Sequence, residues 1–180
     1  MTCRFRRGPF VSEQKPARDD RQESTMQARM NNPAVAAPET MKALMALSKS
    51  ARGRGLAERT ALLVHLRVSQ VNGCSVCVDM HARELRERGE TDERLFAVGA
   101  WRDAPWFDDA ERAALALAEA VTRIADSADP VADEIWEEAA RHYDEQALGA
   151  LLVEIGAINI WNRLNVATRQ VAGAWTAAAA

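Results

Sequence analysis

Residues 72 to 81, NGCSVCVDMH, place Cys74 and Cys77 three apart and His81 four beyond the second cysteine. On an α-helix, positions i, i+3 and i+7 share one face, so Cys74, Cys77 and His81 would form a single stripe. Thiol redox chemistry, a zinc half-site and a static disulfide all use these residue types. The positive end of a helix dipole favours a thiolate in the first turn and so favours Cys74. His81, one turn beyond Cys77, is placed instead to take a proton from Cys77. The base argument makes Cys77 the attacking thiol and Cys74 the resolving one; the dipole argument alone reverses the roles. Zinc would find three ligands here and no obvious fourth. His65 and His142 are available, but no second C-x-x-C or H-x-x-x-H completes a usual structural spacing.

Composition narrows the setting. A chain of 180 residues can bury one core without disulfide support, and one domain is the expectation. A net charge of −3 gives no field to hold nucleic acid. The apolar run from Ala147 to Val153 is broken by Glu154 well short of the ~18–20 residues of a bilayer span, so no membrane association is expected. The first residues are basic and lack the apolar segment of a secretory signal, which makes the cytoplasm the expected location. In that reducing compartment a C-x-x-C pair speaks for redox or metal chemistry over a static staple.

The elements that must position these residues read as helices throughout. Residues 1–38 are polar and Pro-containing, with no periodic apolar face, and read as a flexible arm in which Met26 and Met30 are alternative starts. After Pro38, Met41, Leu44, Met45 and Leu47 recur at helical spacing up to Gly53. Glu58 to Val71 carries Leu62, Leu63, Leu66 and Val71 and is stopped by Asn72-Gly73. The cysteine helix runs from Cys74 or Ser75 to Arg88 and ends at Gly89. Thr91 caps a fourth helix, Asp108 with Glu111 forms a capping box for a fifth reaching Ile124, and Asp129-Pro130 opens a sixth. A last helix spans Asp144 to Val171. The fold class is therefore all-α, a compact bundle of about six to seven helices over residues 39–175, with a short tail at 176–180. The five tryptophans read as packing and oligomer surfaces, and Asn159, Asn162 and Asn165 as helix asparagines bonding nearby backbone.

The run from Arg67 to Thr122, RVSQVNGCSVCVDMHARELRERGETDERLFAVGAWRDAPWFDDAERAALALAEAVT, resembles the alkylhydroperoxidase D (AhpD-like) branch of the carboxymuconolactone decarboxylase family. The segment AINIWNRLNVATR, Ala157 to Arg169, is similar to that family's closing helix. The resemblance implies an all-α protein that assembles as a homodimer, trimer or hexamer. It also implies a thiol peroxidase without metal or other cofactor. Cys77 would match the cysteine that attacks a hydroperoxide, Cys74 the resolving cysteine, and His81 the relay histidine. Electrons would come from a dithiol reductant, possible carriers including lipoyl-bearing partners.

The family's relay also uses a glutamate twelve residues before the first cysteine, and this chain has Leu62 there. His65 and Glu58 are the candidates to replace it. If neither does, the same disulfide belongs to a slow or non-catalytic redox sensor. Two further alternatives are a carboxymuconolactone decarboxylase-type enzyme, against which the cysteine pair argues, and a zinc-stabilised structural module.

Overall fold

A computed structural model describes residues 27–173, and every regular element among them is helical. The expectations for residues 1–26, Trp175 and the tail 176–180 lie outside the described residues. The helices are α1 (Pro33–Ala36), α2 (Pro38–Ala51), α3 (Glu58–Val71), α4 (Ser75–Glu87), α5 (Asp92–Ala97), α6 (Asp109–Thr122), α7 (Asp133–His142) and α8 (Glu145–Thr168), with a 3-10 turn at Val98–Ala100.

The bundle is organised around α3. It contributes Val64 and Val68 to one core, shared with α6, α7 and α8 through Leu117, Ala139, Leu151 and Ile155. It contributes Leu62, Leu63 and Leu66 to a second core, shared with Leu85 of α4, Leu95 of α5 and the segment carrying Trp101 and Phe107. A helix apolar on both flanks cannot be left on a surface, because each buried leucine removes roughly 1.5–3 kcal/mol of apolar exposure from water. The C-terminus of α3 is thereby fixed between α4 and α8. Asn72 and Gly73 then turn the chain into α4, and the positive φ of Gly73 (68°) is a conformation that side-chain-bearing residues rarely adopt.

Side-chain caps open α5, α6 and α8 where the sequence places them. Thr91 accepts from Arg94 N, and Asp108 and Glu111 close a reciprocal capping box. Asp144 accepts from Ala147 N at 2.8 Å and opens α8. The expected helix start at Asp129-Pro130 is displaced: α7 begins at Asp133, with Ala132 at the cap. The cause is local, because Asp129 N–H donates to the Ser127 hydroxyl at 3.2 Å, a side-chain turn that competes with helix initiation. α6 ends at Thr122 rather than Ile124, and α8 at Thr168 rather than Val171, where Arg169 adopts the left-handed conformation with φ 55°.

Part of the segment read as an arm is folded onto the domain. Arg29 N–H donates to the Thr168 carbonyl at 2.8 Å, and Asn32 Nδ2 donates to Asn165 Oδ1 at 2.6 Å. Asn32 also caps α1, which buries Ala34. Polar pairing rather than an apolar face holds residues 27–37, so the hydropathy pattern carried no sign of it.

By length and composition α8 could cross a bilayer, the one such helix among the described residues. It is instead the wall against which α2, α3 and α6 pack, and its buried residues include Glu154, Asn162 and Asn165.

Candidate functional site

Cys74 is the N-cap of α4, with extended backbone and no side-chain cap bond, and Cys77 lies in the first turn. Cys74 N–H donates back to the Ser69 carbonyl at 3.0 Å, and its own carbonyl accepts from Val78 N–H at 2.9 Å, so both ends of the turn are held. The cysteines are joined as a disulfide with Cα atoms 5.4 Å apart, and each is 1% exposed. Asn165 of α8 donates from Nδ2 to Cys77 Sγ at 3.2 Å. An amide N–H at the sulfur lowers the free energy of a thiolate there relative to the thiol.

His81 is buried one turn along α4, and neither ring nitrogen has a hydrogen-bond partner. Glu84 approaches Nδ1 only to 3.7 Å, too long for a hydrogen bond, so burial dominates and lowers the pKa of the ring. The His81 ring lies 5.0 Å, centroid to centroid, from that of His65 on α3. His65 Nε2 in turn lies 2.9 Å from Oε2 of Glu154, a buried carboxyl group projecting from α8. A carboxylate at this position accepts, so Nε2 carries the proton and Nδ1, which has no partner, can accept one.

Glu154, His65, His81 and Cys77 line one cavity of about 520 Å³. Its remaining walls are mainly apolar, among them Met45, Leu62, Met80, Ile158 and Trp161. Such a site can deprotonate a thiol, return a proton to a leaving group and receive a molecule with an apolar body.

The structure thus gathers Cys74, Cys77, His81 and His65. It does not bring Glu58 to the sulfur. That carboxylate, mostly exposed at the rim of the cavity, pairs with Arg88 at 2.8 Å, because α3 directs its first turn toward the C-terminal end of α4. His142 pairs with Glu138 at 3.1 Å on α7, outside the cavity lining. No group of three or more His, Cys, Asp or Glu side chains could hold a metal ion among the described residues, so the zinc reading has no ligand set.

The partner of Glu154 and the long-range bonds of the α8 asparagines are not visible in the sequence. In the sequence Glu154 reads only as an interruption of an apolar run. A carboxyl group in the middle of a buried helix needs a partner, and that requirement was the available signal. The asparagines of α8 do more than bond backbone. Asn159 and Asn162 accept from Asn72 Nδ2 at 3.0 and 2.9 Å, and Asn162 donates to the Ser69 hydroxyl at 3.1 Å, tying α8 to the turn before Cys74. Asn165 continues the same i+3 stripe to the sulfur.

The buried His81 predicts an acid-sensitive fold. Its folded pKa lies below the ordinary 6.5, so between those values the unfolded chain binds the extra proton and stability rises with pH. The penalty is absent above about pH 6.5 and grows as pH falls through that window, by up to about 1.4 kcal/mol per pH unit. Of the ionisable neighbours, His65 opposes protonation and Glu84 and Glu154 favour it, without outweighing burial. Thermal unfolding should therefore show a smaller loss of Tm between pH 7 and pH 5 for His81→Gln than for the natural chain. Parallel curves would assign the acid sensitivity to other groups.

Residues 38–120 match the profile of the carboxymuconolactone decarboxylase family. The uncharacterized protein YdfG of Bacillus subtilis is 38% identical over 131 residues, 73% of this chain and 88% of YdfG. The uncharacterized protein YnjA of Escherichia coli is 38% identical over 105 residues, 58% of this chain and 56% of YnjA. A protein of unknown function from Agrobacterium tumefaciens, a candidate antioxidant defence protein AhpD, has a crystal structure that superposes with a TM-score of 0.75 at 38% identity, covering 81% of this chain and 98% of that one. The debrominase Bmp8 shares the fold, with a TM-score of 0.69 at 22% identity over 78% of this chain and 74% of its own.

Proposed function

This chain belongs to the carboxymuconolactone decarboxylase family, and on that premise we propose that it is an AhpD-like thiol peroxidase working through the Cys74–Cys77 disulfide. The observation that carries the reading is the convergence of Cys77, His81, His65 and Glu154 on one cavity. In the reduced protein His81 takes the Cys77 proton, and Asn165 donates to the resulting thiolate. The thiolate attacks the distal oxygen of a hydroperoxide, the O–O bond breaks, and the alkoxide leaves as alcohol with a proton from the histidine pair. Cys77 is now a sulfenic acid. Cys74 attacks its sulfur, water leaves, and the disulfide forms; a dithiol reductant then returns two electrons.

The slow redox-sensor alternative rested on the missing carboxyl group at Leu62. Glu154 supplies one from a different helix, acting through His65 as a positioning residue. The apolar walls favour hydroperoxides with an organic body over hydrogen peroxide. The direct test uses Cys74→Ser, in which the sulfenic acid cannot be resolved. Cumene hydroperoxide followed by dimedone should label Cys77 stoichiometrically in that variant. Label on Cys74 in Cys77→Ser, with none on Cys77 in Cys74→Ser, would exchange the two roles; no label in either would remove the peroxidase reading.

A further inference from the structure

The disulfide stands between two cavities. Cys77 faces the larger one described above. Cys74 lines a second, of about 260 Å³, bounded also by Gly73, Ser75, Asn165, Val166 and Arg169. The two linings have only Asn165 in common. We propose that the second cavity is the binding site of the thiol reductant, which attacks Cys74 there while the hydroperoxide is reduced at Cys77 on the other side. The inference rests on the redox role of the disulfide argued above.

Thiol–disulfide exchange proceeds through a nearly linear arrangement of three sulfurs. A thiolate attacking Cys74 must therefore approach from the side away from Cys77. A cavity that touches Cys74 and not Cys77 offers that approach. The sulfur expelled is then Cys77, the one that already accepts from Asn165 Nδ2 and shares its cavity with His81 and His65. Exchange is faster when the departing sulfur is the better-stabilised thiolate, so the site's polarity favours this direction over attack on Cys77.

Charge agrees with access. The first turn of α4 has no side-chain cap, and Arg169 lines the same cavity as Cys74 and Ser75, so a thiolate arrives among positive groups. Arg169 is the one residue other than glycine with positive φ among the described residues, at a helix end where glycine is usual. Its left-handed turn sends residues 170–172 around the cavity as a rim. Both cysteines are buried, so the reductant must carry its thiol on a slender body or arm. The balance is complete with a dithiol. Its first thiolate forms a mixed disulfide with Cys74 and releases Cys77, which takes a proton. Its second thiolate then attacks the reductant's own sulfur in that bond, leaving reduced Cys74 and oxidised reductant.

The test separates the two half-reactions in the full chain. Disulfide is formed with diamide, and its reduction by dithiothreitol is followed by alkylation and mass shift; separately, reduced protein is oxidised with cumene hydroperoxide. Val166 and Met45 are both about half exposed and each lines one cavity, so tryptophan can be placed at either without disturbing a core. Val166→Trp should slow reduction about tenfold or more, and slow it more than it slows peroxide oxidation; Met45→Trp should show the opposite bias. Arg169→Glu should slow reduction by anionic mercaptoethanesulfonate more than by neutral dithiothreitol. Reduction unaffected by Val166→Trp, slowed equally by both tryptophans, or slowed only by Met45→Trp would overturn the proposal. Diamide makes the disulfide without peroxide, so this outcome can be read whether or not the peroxidase reading holds.

Discussion

Replacing Cys77 by serine should reduce dithiothreitol-dependent peroxide consumption by at least about 10³-fold, to the uncatalysed background, because a hydroxyl is far less ionised than a thiol and cannot form a sulfenic acid. Cys74→Ser should also lose turnover with a dithiol, yet retain one rapid oxidation per chain. That difference separates attacking from resolving sulfur where steady-state rates cannot. The serine replaces a sulfur of closely similar size in a buried position, so loss of activity will reflect chemistry if circular dichroism and Tm stay near those of the reduced natural chain. Substantial peroxide consumption by Cys77→Ser would place the chemistry on another group.

The second large effect is expected at Glu154. Glu154→Gln keeps the volume of the side chain and removes its charge, so His65 loses the partner that fixes its tautomer. Because proton transfer by a positioned group contributes on the order of 10²- to 10⁴-fold, and Glu154 acts on the sulfur only through His65 and His81, a loss of about 10- to 100-fold in the rate of Cys77 oxidation is expected. A purely structural role would lower Tm and leave the pH–rate profile unchanged. A relay role changes the profile. Combining Glu154→Gln with His65→Phe should cost little more than either alone, since both interrupt one chain. Leu62 lines the same cavity, so adding Leu62→Glu to Glu154→Gln should recover part of the rate. Oxidation as fast in Glu154→Gln as in the natural chain would remove Glu154 from the mechanism.

Sequence and structure agree where local rules decide. The bounds of α3, the start of α4 and the capping box at Asp108 follow from side-chain spacing, caps and breakers, and these are written within a few residues of where they act. The cysteine stripe with His81 is equally local. What stayed hidden was long-range. Glu154 meets His65 across 89 positions, and Asn165 meets Cys77 across 88. Only the packing of α8 against α3 and α4 creates those pairs. Glu58 reads as a relay candidate beside His65 because proximity along one helix is visible in a sequence and the direction of a side chain is not. The start of α7 was misplaced for the opposite reason, a local turn at Ser127 outcompeting a local helix signal.

Asn165 gives the fold one more property. Its Oδ1 accepts from Asn32 and its Nδ2 donates to Cys77 Sγ, so a single amide joins the docked segment before α2 to the redox sulfur. The two bonds orient the same planar group, and each limits the freedom of the other. Thermodynamic linkage then works in both directions. To whatever extent docking of residues 27–37 strengthens the amide's hold on one oxidation state, formation of that state strengthens docking by the same free energy. The midpoint potential of the cysteine pair and the adhesion of the N-terminal segment are thus two readings of one coupling, with Asn165 as its hinge.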